Sequence, residues 1–399
     1  MLIKEWQVRV LGYIRVYRSH SFLPLFVTNI QFFIHSNVDE YGFERPQKFN
    51  YETYEEFMSE YLKVLAKRAK KWAEIVGKGK SLQRSITIKR YVRKGIPGEY
   101  RGLVWLSVSE GDKLKSDYPD LYERLLQGPH NVEIVDVIKT DLPRTFPDNI
   151  FFNNTENQQH QLYNILLAFA HQNKTVGYCQ GLNYIAGLLL LVTKNEETAF
   201  WLLKVLIEKI LPEYYTPTMD GLLTDIDVLA ELVRIKMPDV YQHVINLGLP
   251  WAVIATKWFI CLFAEVLPIE VSTYAKILKY IKRIIYFVIN KISNLFFTFL
   301  YQTVLRIWDC LFYEGNKIIF RVALTLIKRN KDNLLACEDF AALAECFKQI
   351  TKDSIVLRCH DFMQSIFKVP GSLPGGTIAK LRSKVMIQHM KEKEDKLRR

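Results

Sequence analysis

In segment after segment of this chain, apolar residues recur at three- and four-residue spacing, and prolines fall between those segments. Gln161–His171 (QLYNILLAFAH), Ala199–Ile210 (AFWLLKVLIEKI), Leu222–Ile235, Trp251–Val266, Lys317–Lys328 (KIIFRVALTLIK) and Asp353–Phe367 all carry the pattern. Such spacing lays one apolar stripe along a helix. Pro97, Pro143, Pro147, Pro212, Pro250 and Pro268 punctuate the stripes, as befits a residue with no amide hydrogen that also restricts its predecessor. Alternating apolar–polar runs bounded by hairpin dipeptides are missing, so a sheet has no evident strands to use. No internal repeat recurs at a period of about 30–50 residues, which argues against a solenoid. The expected fold class is all-α.

The composition fits a buried core: of 399 residues, 49% are hydrophobic and 24% charged. A chain of this length suits one large domain or two ordinary ones. The formal net charge of +12 permits acidic partners of any kind, but its distribution narrows the choice. Residues 271–302 hold Lys276, Lys279, Lys282, Arg283 and Lys291 with no acid, and residues 1–37 hold Lys4, Arg9, Arg15 and Arg18 against Glu5. The rest is close to balanced, and no basic stripe interleaved with aromatics runs through it. A nucleic-acid partner is therefore not expected. The six cysteines are scattered without a CxxC pair, as reduced thiols of a cytosolic protein would be. The eight histidines show no HExxH or Cys/His ligand spacing, so neither a metal nor a cofactor of the chain's own is expected.

Ser21–Ile34 (SFLPLFVTNIQFFI) is apolar enough to suggest a signal sequence. The charged residues before it, Pro24 within it and the lack of a small-residue cleavage site after it argue otherwise. Tyr54–Val76 reads as an amphipathic helix followed by a Gly/Lys/Ser linker near Gly77–Ser81. After Val369, PGSLPGG reads as a flexible hinge, and Thr377–Arg399 as a charged helix presenting a solvated face or an interaction arm.

Two segments carry residue types suited to chemistry. In Val137–Pro147 (VIKTDLPRTFP), Ile138, Asp141 and Arg144 are spaced by three. Asp141 would hold the Arg144 guanidinium if the helix persisted, but Pro143 and Pro147 speak against that. Arg144 is then a long cation on a constrained segment with a carboxylate nearby. An arginine finger needs that arrangement to meet charge developing on a transferring phosphoryl group. Taken alone, the segment is more often an ordinary surface ion pair. In Val176–Gly187 (VGYCQGLNYIAG), Gly177 and Gly181 flank Tyr178, Cys179 and Gln180 just before an apolar helix. A glutamine offers one acceptor and one donor group on a single side chain, enough to orient a water and bond a phosphate oxygen. A helix-start glutamine bonded to its own backbone is the commoner case. Neither GxxxxGK[ST] nor a strand-borne GxGxxG is present.

In order, Arg93-Lys94-Gly95-Ile96-Pro97, Arg101-Gly102-Leu103-Val104-Trp105, Ile138-x-x-Asp141-x-x-Arg144, Tyr178-Cys179-Gln180-Gly181 and Leu305-Arg306-Ile307-Trp308-Asp309 resemble the signature blocks of the TBC domain of Rab GTPase-activating proteins. The resemblance implies an all-helical, V-shaped, multi-helix fold and a dual-finger mechanism supplied in trans. Arg144 would stabilise transition-state charge, and Gln180 would replace the GTPase's own water-positioning residue. Asp141 would orient Arg144; Tyr178 and Gly181 would support Gln180; Arg101 and Trp105 look structural. The implied partner is a Rab-family GTPase in its GTP-bound form, which brings the GTP and Mg²⁺. The chain would act on that GTPase's active site, in the cytoplasm or peripherally at endomembranes.

The expected organisation is an atypical N-terminal extension (1–38), a helical segment and linker (39–92), the TBC domain (93–330), C-terminal helices packed on it (331–369) and a charged tail (370–399). In the resembled family, Leu267-Pro268-Ile269-Glu270 would run directly into Thr303-Val304-Leu305-Arg306, whereas here 32 residues, Val271–Gln302, intervene. They read either as an inserted segment, looped out or disrupting the C-terminal half, or as a peripheral membrane contact through an amphipathic surface helix at Ile284–Tyr301. Asn290, Lys291 and Asn294 near its centre count against a span. The rival to a competent activator is a catalytically impaired Rab-binding scaffold.

Overall fold

The apolar stripes fold as helices, and several of their ends carry a residue able to cap them. The computed structural model describes residues 38–43, 51–77, 82–147, 149–153, 156–264, 296–352, 356 and 358–398. The regular elements among them are helical, with one antiparallel bridge between Phe43 and Asn149, and no strand forms. The all-α expectation is met. The N-terminal extension up to residue 37, most of the linker after Gly77, and residues 271–295 of the inserted segment lie outside the described residues.

In chain order the helices are α1 (Tyr51–Val76), α2 (Ile86–Lys94), α3 (Gly98–Val108), α4 (Gly111–Asp117), α5 (Leu121–Leu126), α6 (Val132–Asp141) and α7 (Ile150–Asn153). There follow α8 (Glu156–Gln172), α9 (Leu182–Thr193), α10 (Glu196–Val205), α11 (Asp220–Lys236), α12 (Pro238–Asn246) and α13 (Trp251–Ile260). The C-terminal set is α14 (Phe296–Glu314), α15 (Lys317–Arg329), α16 (Lys331–Leu335), α17 (Phe340–Gln349), α18 (Cys359–Lys368) and α19 (Gly375–Leu397). Ser85, Asn131, Asn195 and Asp339 cap α2, α6, α10 and α17 by accepting first-turn amide hydrogens, each satisfying donors with no partner inside the helix.

Helix α9 is the centre of the domain. Leu182, Asn183 and every residue from Ile185 to Val192 are buried, because α8 and α10 pack against it and α3 closes a further side. A helix apolar nearly all round has no solvent face to keep, so a core position is the only stable one. Asn183 is the exception in that run.

Several helix boundaries depart from the periodicity. The stripe Ala199–Ile210 divides, with α10 giving way to a π-helical turn at Leu206–Ile210, where Glu208 accepts from Asn173 Nδ2 at 3.0 Å and Lys204 Nζ at 2.6 Å. The stripe beginning at Trp251 stops at Ile260. Leu262 and Phe263 then turn through left-handed geometry, φ 49° and 64°, which buries both side chains and aims the Leu262 carbonyl at Trp308 Nε1, 3.1 Å away. The last stripe bends at Arg358, after which helix α18 starts at Cys359; residues 353–355 and 357 of that stripe lie outside the described residues. The charged C-terminal helix is not a detached arm. It docks on α11 with Ile378 and Val385 buried, Arg382 paired to the buried Asp225, and His389 Nε2 2.6 Å from Asp227 Oδ2.

The C-terminal half is joined to the N-terminal helices through Glu314 at the end of α14. Arg93 of α2 grips its carboxylate with two bonds, Nε to Oε1 at 2.6 Å and Nη2 to Oε2 at 2.8 Å, and Lys317 of α15 adds a third contact at 2.9 Å. Burial opposes the charge on Glu314, but the hydrogen bonds from Arg93 and Lys317 outweigh it and hold the carboxyl at about 2. A pKa lowered on folding stabilises the native state at all pH values above the unfolded-state value. That contribution fades as pH falls from about 4.5 toward about 2. Glu314→Gln is expected to cost on the order of 2 kcal/mol at neutral pH, the scale of charge-assisted bonds. The difference from wild type should shrink across that acid window. Urea unfolding at pH 7, 4 and 3 checks it; a gap independent of pH would show that the charge is not what matters.

Candidate functional site

The site is built where α6 ends and α9 begins. Asn131 starts α6 by accepting from the Glu133 and Ile134 amides, at 2.8 and 3.4 Å. From there Ile138 and Asp141 face inward, both essentially buried. The α-helix ends at Asp141, ahead of Pro143, as the prolines led one to expect, but the chain does not turn irregular there. It tightens into a 3₁₀ turn, Leu142–Arg144, with the proline in its first positions, where a fixed φ and a missing amide hydrogen cost nothing. The turn therefore keeps Arg144 within reach of Asp141, and Arg144 Nη2 pairs with Asp141 Oδ1. A sharper departure from helical geometry follows the turn. Phe146, just before Pro147, sits at φ 51°, a costly geometry for a bulky residue. Its ring is held in place by Phe43 and Tyr184, both with centroids at 5.5 Å, and by Phe152 at 5.9 Å. Gly187 of α9 permits this approach, since a Cβ there would lie 3.0 Å from the Phe146 ring.

On the facing side, Gly177 at φ 57° and Gly181 at φ 104° shape the loop that carries Gln180. Gly181 is the residue that precedes α9. A Cβ on it would meet nothing within 4 Å, so its left-handed backbone, not crowding, is what asks for glycine. Gln180 is exposed, and its amide makes no hydrogen bond among the described residues. It is thus not a glutamine spent on its own backbone.

Arg144 and Gln180 stand on adjoining loops tied by specific bonds. Tyr178 donates its hydroxyl to Asp141 Oδ2 at 2.5 Å, so Asp141 divides its two oxygens between Tyr178 and Arg144. Burial, and then the bond to Asp141, pushes the Tyr178 phenol well above its ordinary range, which keeps the phenol a proton donor. Tyr184 donates to the Arg144 carbonyl at 3.1 Å. Asn183 donates to Thr145 Oγ1 at 2.8 Å and accepts from the Gly181 amide at 3.1 Å, while Thr145 donates to the Asp141 carbonyl at 2.8 Å. The Arg144 side chain is 50% exposed and that of Asp141 1%: a buried anchor holding an accessible cation. The arrangement offers one guanidinium and one carboxamide at an open surface, both able to donate to a phosphoryl oxygen. Cys179, the residue before Gln180, has its thiol raised by burial, which does not favour a nucleophilic role.

Arg101 and Trp105 lie elsewhere, at a buried polar centre formed by Asp309. Asp309 is fully buried and accepts from Arg101 Nε at 3.2 Å, Trp105 Nε1 at 2.9 Å and the Ile96 amide at 3.1 Å. Arg101 also donates to Tyr41 Oη at 2.7 Å. Three of the sequence blocks, Arg93–Pro97, Arg101–Trp105 and Leu305–Asp309, meet here, away from the exposed pair. Sequence reasoning did not single out Asn183, Thr145 and Tyr184. An asparagine in the otherwise apolar run LNYIAGLLLL was the available signal, because a buried amide must be paired on both ends.

Residues 98–278 and 272–335 match the family described as the Rab-GTPase-TBC domain. The chain is 48% identical over 347 residues to growth hormone-regulated TBC protein 1 of Homo sapiens, covering 86% of this chain and 94% of that protein. It is 46% identical over 349 residues to growth hormone-regulated TBC protein 1-A of Danio rerio, covering 87% and 89%. Among solved structures, it resembles the Chlamydomonas flagellar RabGAP TBC domain with a TM-score of 0.64 and 29% identity, over 83% of this chain and 99% of that one.

Proposed function

The chain belongs to the Rab-GTPase-TBC domain family, and from that premise we propose that it accelerates GTP hydrolysis by a GTP-bound Rab-family GTPase with Arg144 and Gln180 as its two fingers. The observation that supports this reading is that both side chains are exposed while Asp141, Thr145 and Asn183, which fix their loops, are buried. Arg144 would compensate charge on the transferring γ-phosphoryl group, and Gln180 would orient the attacking water. Asp141 would hold the guanidinium in its extended pose. The nucleotide and Mg²⁺ stay with the GTPase.

The test is a panel of GTP-loaded Rabs scored for accelerated phosphate release. On a responsive Rab, Gln180→Ala should cut the stimulated rate on the order of 100-fold, the scale of a lost transition-state donor, and leave complex formation intact. If no Rab responds, the activator reading fails.

In the scaffold alternative the inserted segment compromises the fold or alters its geometry. Against it, α14 runs unbroken from Phe296 to Glu314, so the junction at Gln302 and Thr303 lies inside one helix. Gln302 Nε2 bonds Glu40 Oε1 at 2.8 Å and Thr303 Oγ1 the Val356 carbonyl at 2.7 Å. The membrane-surface reading of Ile284–Tyr301 falls largely outside the described residues. Among the described residues, no helix is long and apolar enough to cross a membrane.

A further inference from the structure

We propose that Asn183 and Thr145 are positioning residues that hold Gln180 in fixed register with Arg144, so that both fingers meet one phosphoryl group together. The inference rests on the two-finger reading above and adds the device that couples the fingers.

Asn183 is completely buried in α9, where its neighbours are apolar. An aliphatic side chain would fill that position without the desolvation cost an amide carries. The two ends of the amide go one to each finger loop. Its Oδ1 takes the amide hydrogen of Gly181, the residue after Gln180, and its Nδ2 donates to the hydroxyl of Thr145, the residue after Arg144. The polarity of this relay is forced. The Gly181 amide can only donate, so it fixes which end of Asn183 faces it. The Nδ2 group can then only donate to Thr145. The Thr145 hydrogen is left for the Asp141 carbonyl, which can only accept. A relay with one allowed direction has one register. It ends on the backbone of Asp141, the residue whose carboxylate pairs with Arg144. A shift of the Gln180 loop would therefore break bonds inside the core.

The test uses single-turnover hydrolysis on a Rab that responds in the panel, with the chain titrated to give a maximal rate and a half-saturating concentration. Thr145→Val keeps the shape and removes the hydroxyl. It should lower the maximal rate by roughly 10–100-fold, as misplacement of a catalytic group does, and leave half-saturation within about threefold. Thr145→Ser should restore most of the rate. In a Gln180→Ala background, Thr145→Val should lower the rate by no more than about threefold further, because positioning a missing finger has no value. Asn183→Asp, in its ionised form, keeps the acceptor for Gly181 but cannot donate to Thr145, and above the carboxyl's pKa should reproduce the Thr145→Val defect; it decides the matter if thermal melting shows Thr145→Val unfolded.

An unchanged maximal rate in Asn183→Asp and Thr145→Val overturns the inference while leaving the two-finger reading standing. So does an equal fold loss with and without Gln180, which marks a general structural defect. Full activity of Gln180→Ala would instead remove the two-finger reading, and this inference with it.

Discussion

Arg144→Ala is expected to lower stimulated GTP hydrolysis by roughly 10³–10⁵-fold, the value of an arginine finger supplied in trans. Complex formation with the same GTP-loaded Rab should be nearly unchanged. The size of the effect follows from where the charge is needed. A guanidinium that meets negative charge only as it develops lowers the barrier without tightening the ground state. The side chain is half exposed and pairs with the buried Asp141, so its removal empties no core space but leaves Asp141 with Tyr178 as its side-chain partner; the melting temperature should fall by a few degrees while the fold is kept. Arg144→Lys keeps the charge and loses the planar fork. It should fall between wild type and alanine, because a point charge cannot bridge two oxygens in fixed geometry. The measurements are stimulated phosphate release and binding to the Rab loaded with a non-hydrolysable GTP analogue. A variant within about tenfold of wild type would show that Arg144 is not the finger.

Much of this site was legible in the sequence because its parts are local. The i, i+3 spacing of Asp141 and Arg144 placed carboxylate and guanidinium on one side of a turn, and Gly181 marked the entrance to α9. What was not legible depends on contacts between distant segments. Pro143 argued for an end to the α-helix before Arg144, and it ends at Asp141; that the chain then tightens into a 3₁₀ turn, keeping Arg144 beside Asp141, was not legible. The sharper departure falls at Phe146, whose φ of 51° is paid for by aromatic neighbours from three other segments. Asn183 and Thr145 read as an unremarkable polar residue in an apolar run and a loop threonine. Their pairing appears only once α9 lies beside the arginine turn. The same limit applies to α19: its alternating charges read as solvated, and only docking on α11 shows that Arg382 has a buried partner in Asp225.

The second large effect is expected at the buried Asp309 centre, which makes no bond to either finger among the described residues. Asp309→Ala should destabilise the fold by about 3–5 kcal/mol, the cost of leaving one member of a buried ion pair unpaired. Arg101 is 3% exposed and would keep only its bond to Tyr41, while Trp105 Nε1 and the Ile96 amide would lose their acceptor in the core. Burial pushes the Asp309 carboxyl up against the opposing pull of Arg101 and Arg306. The charge is thus held at a cost, and the acceptor bonds, more than the charge, justify its place. A double variant tests that distinction. Asp309→Leu with Arg101→Met removes both charges and should recover part of the loss seen in Asp309→Leu alone. Recovery should be incomplete, because Trp105 and Ile96 remain unsatisfied. Since domains are stable by only about 5–15 kcal/mol, the single variant should also lose stimulated hydrolysis on warming although both fingers are intact. Urea unfolding of the three variants decides it, and a loss below about 1 kcal/mol in Asp309→Ala would show that the three sequence blocks meet at this centre without depending on it.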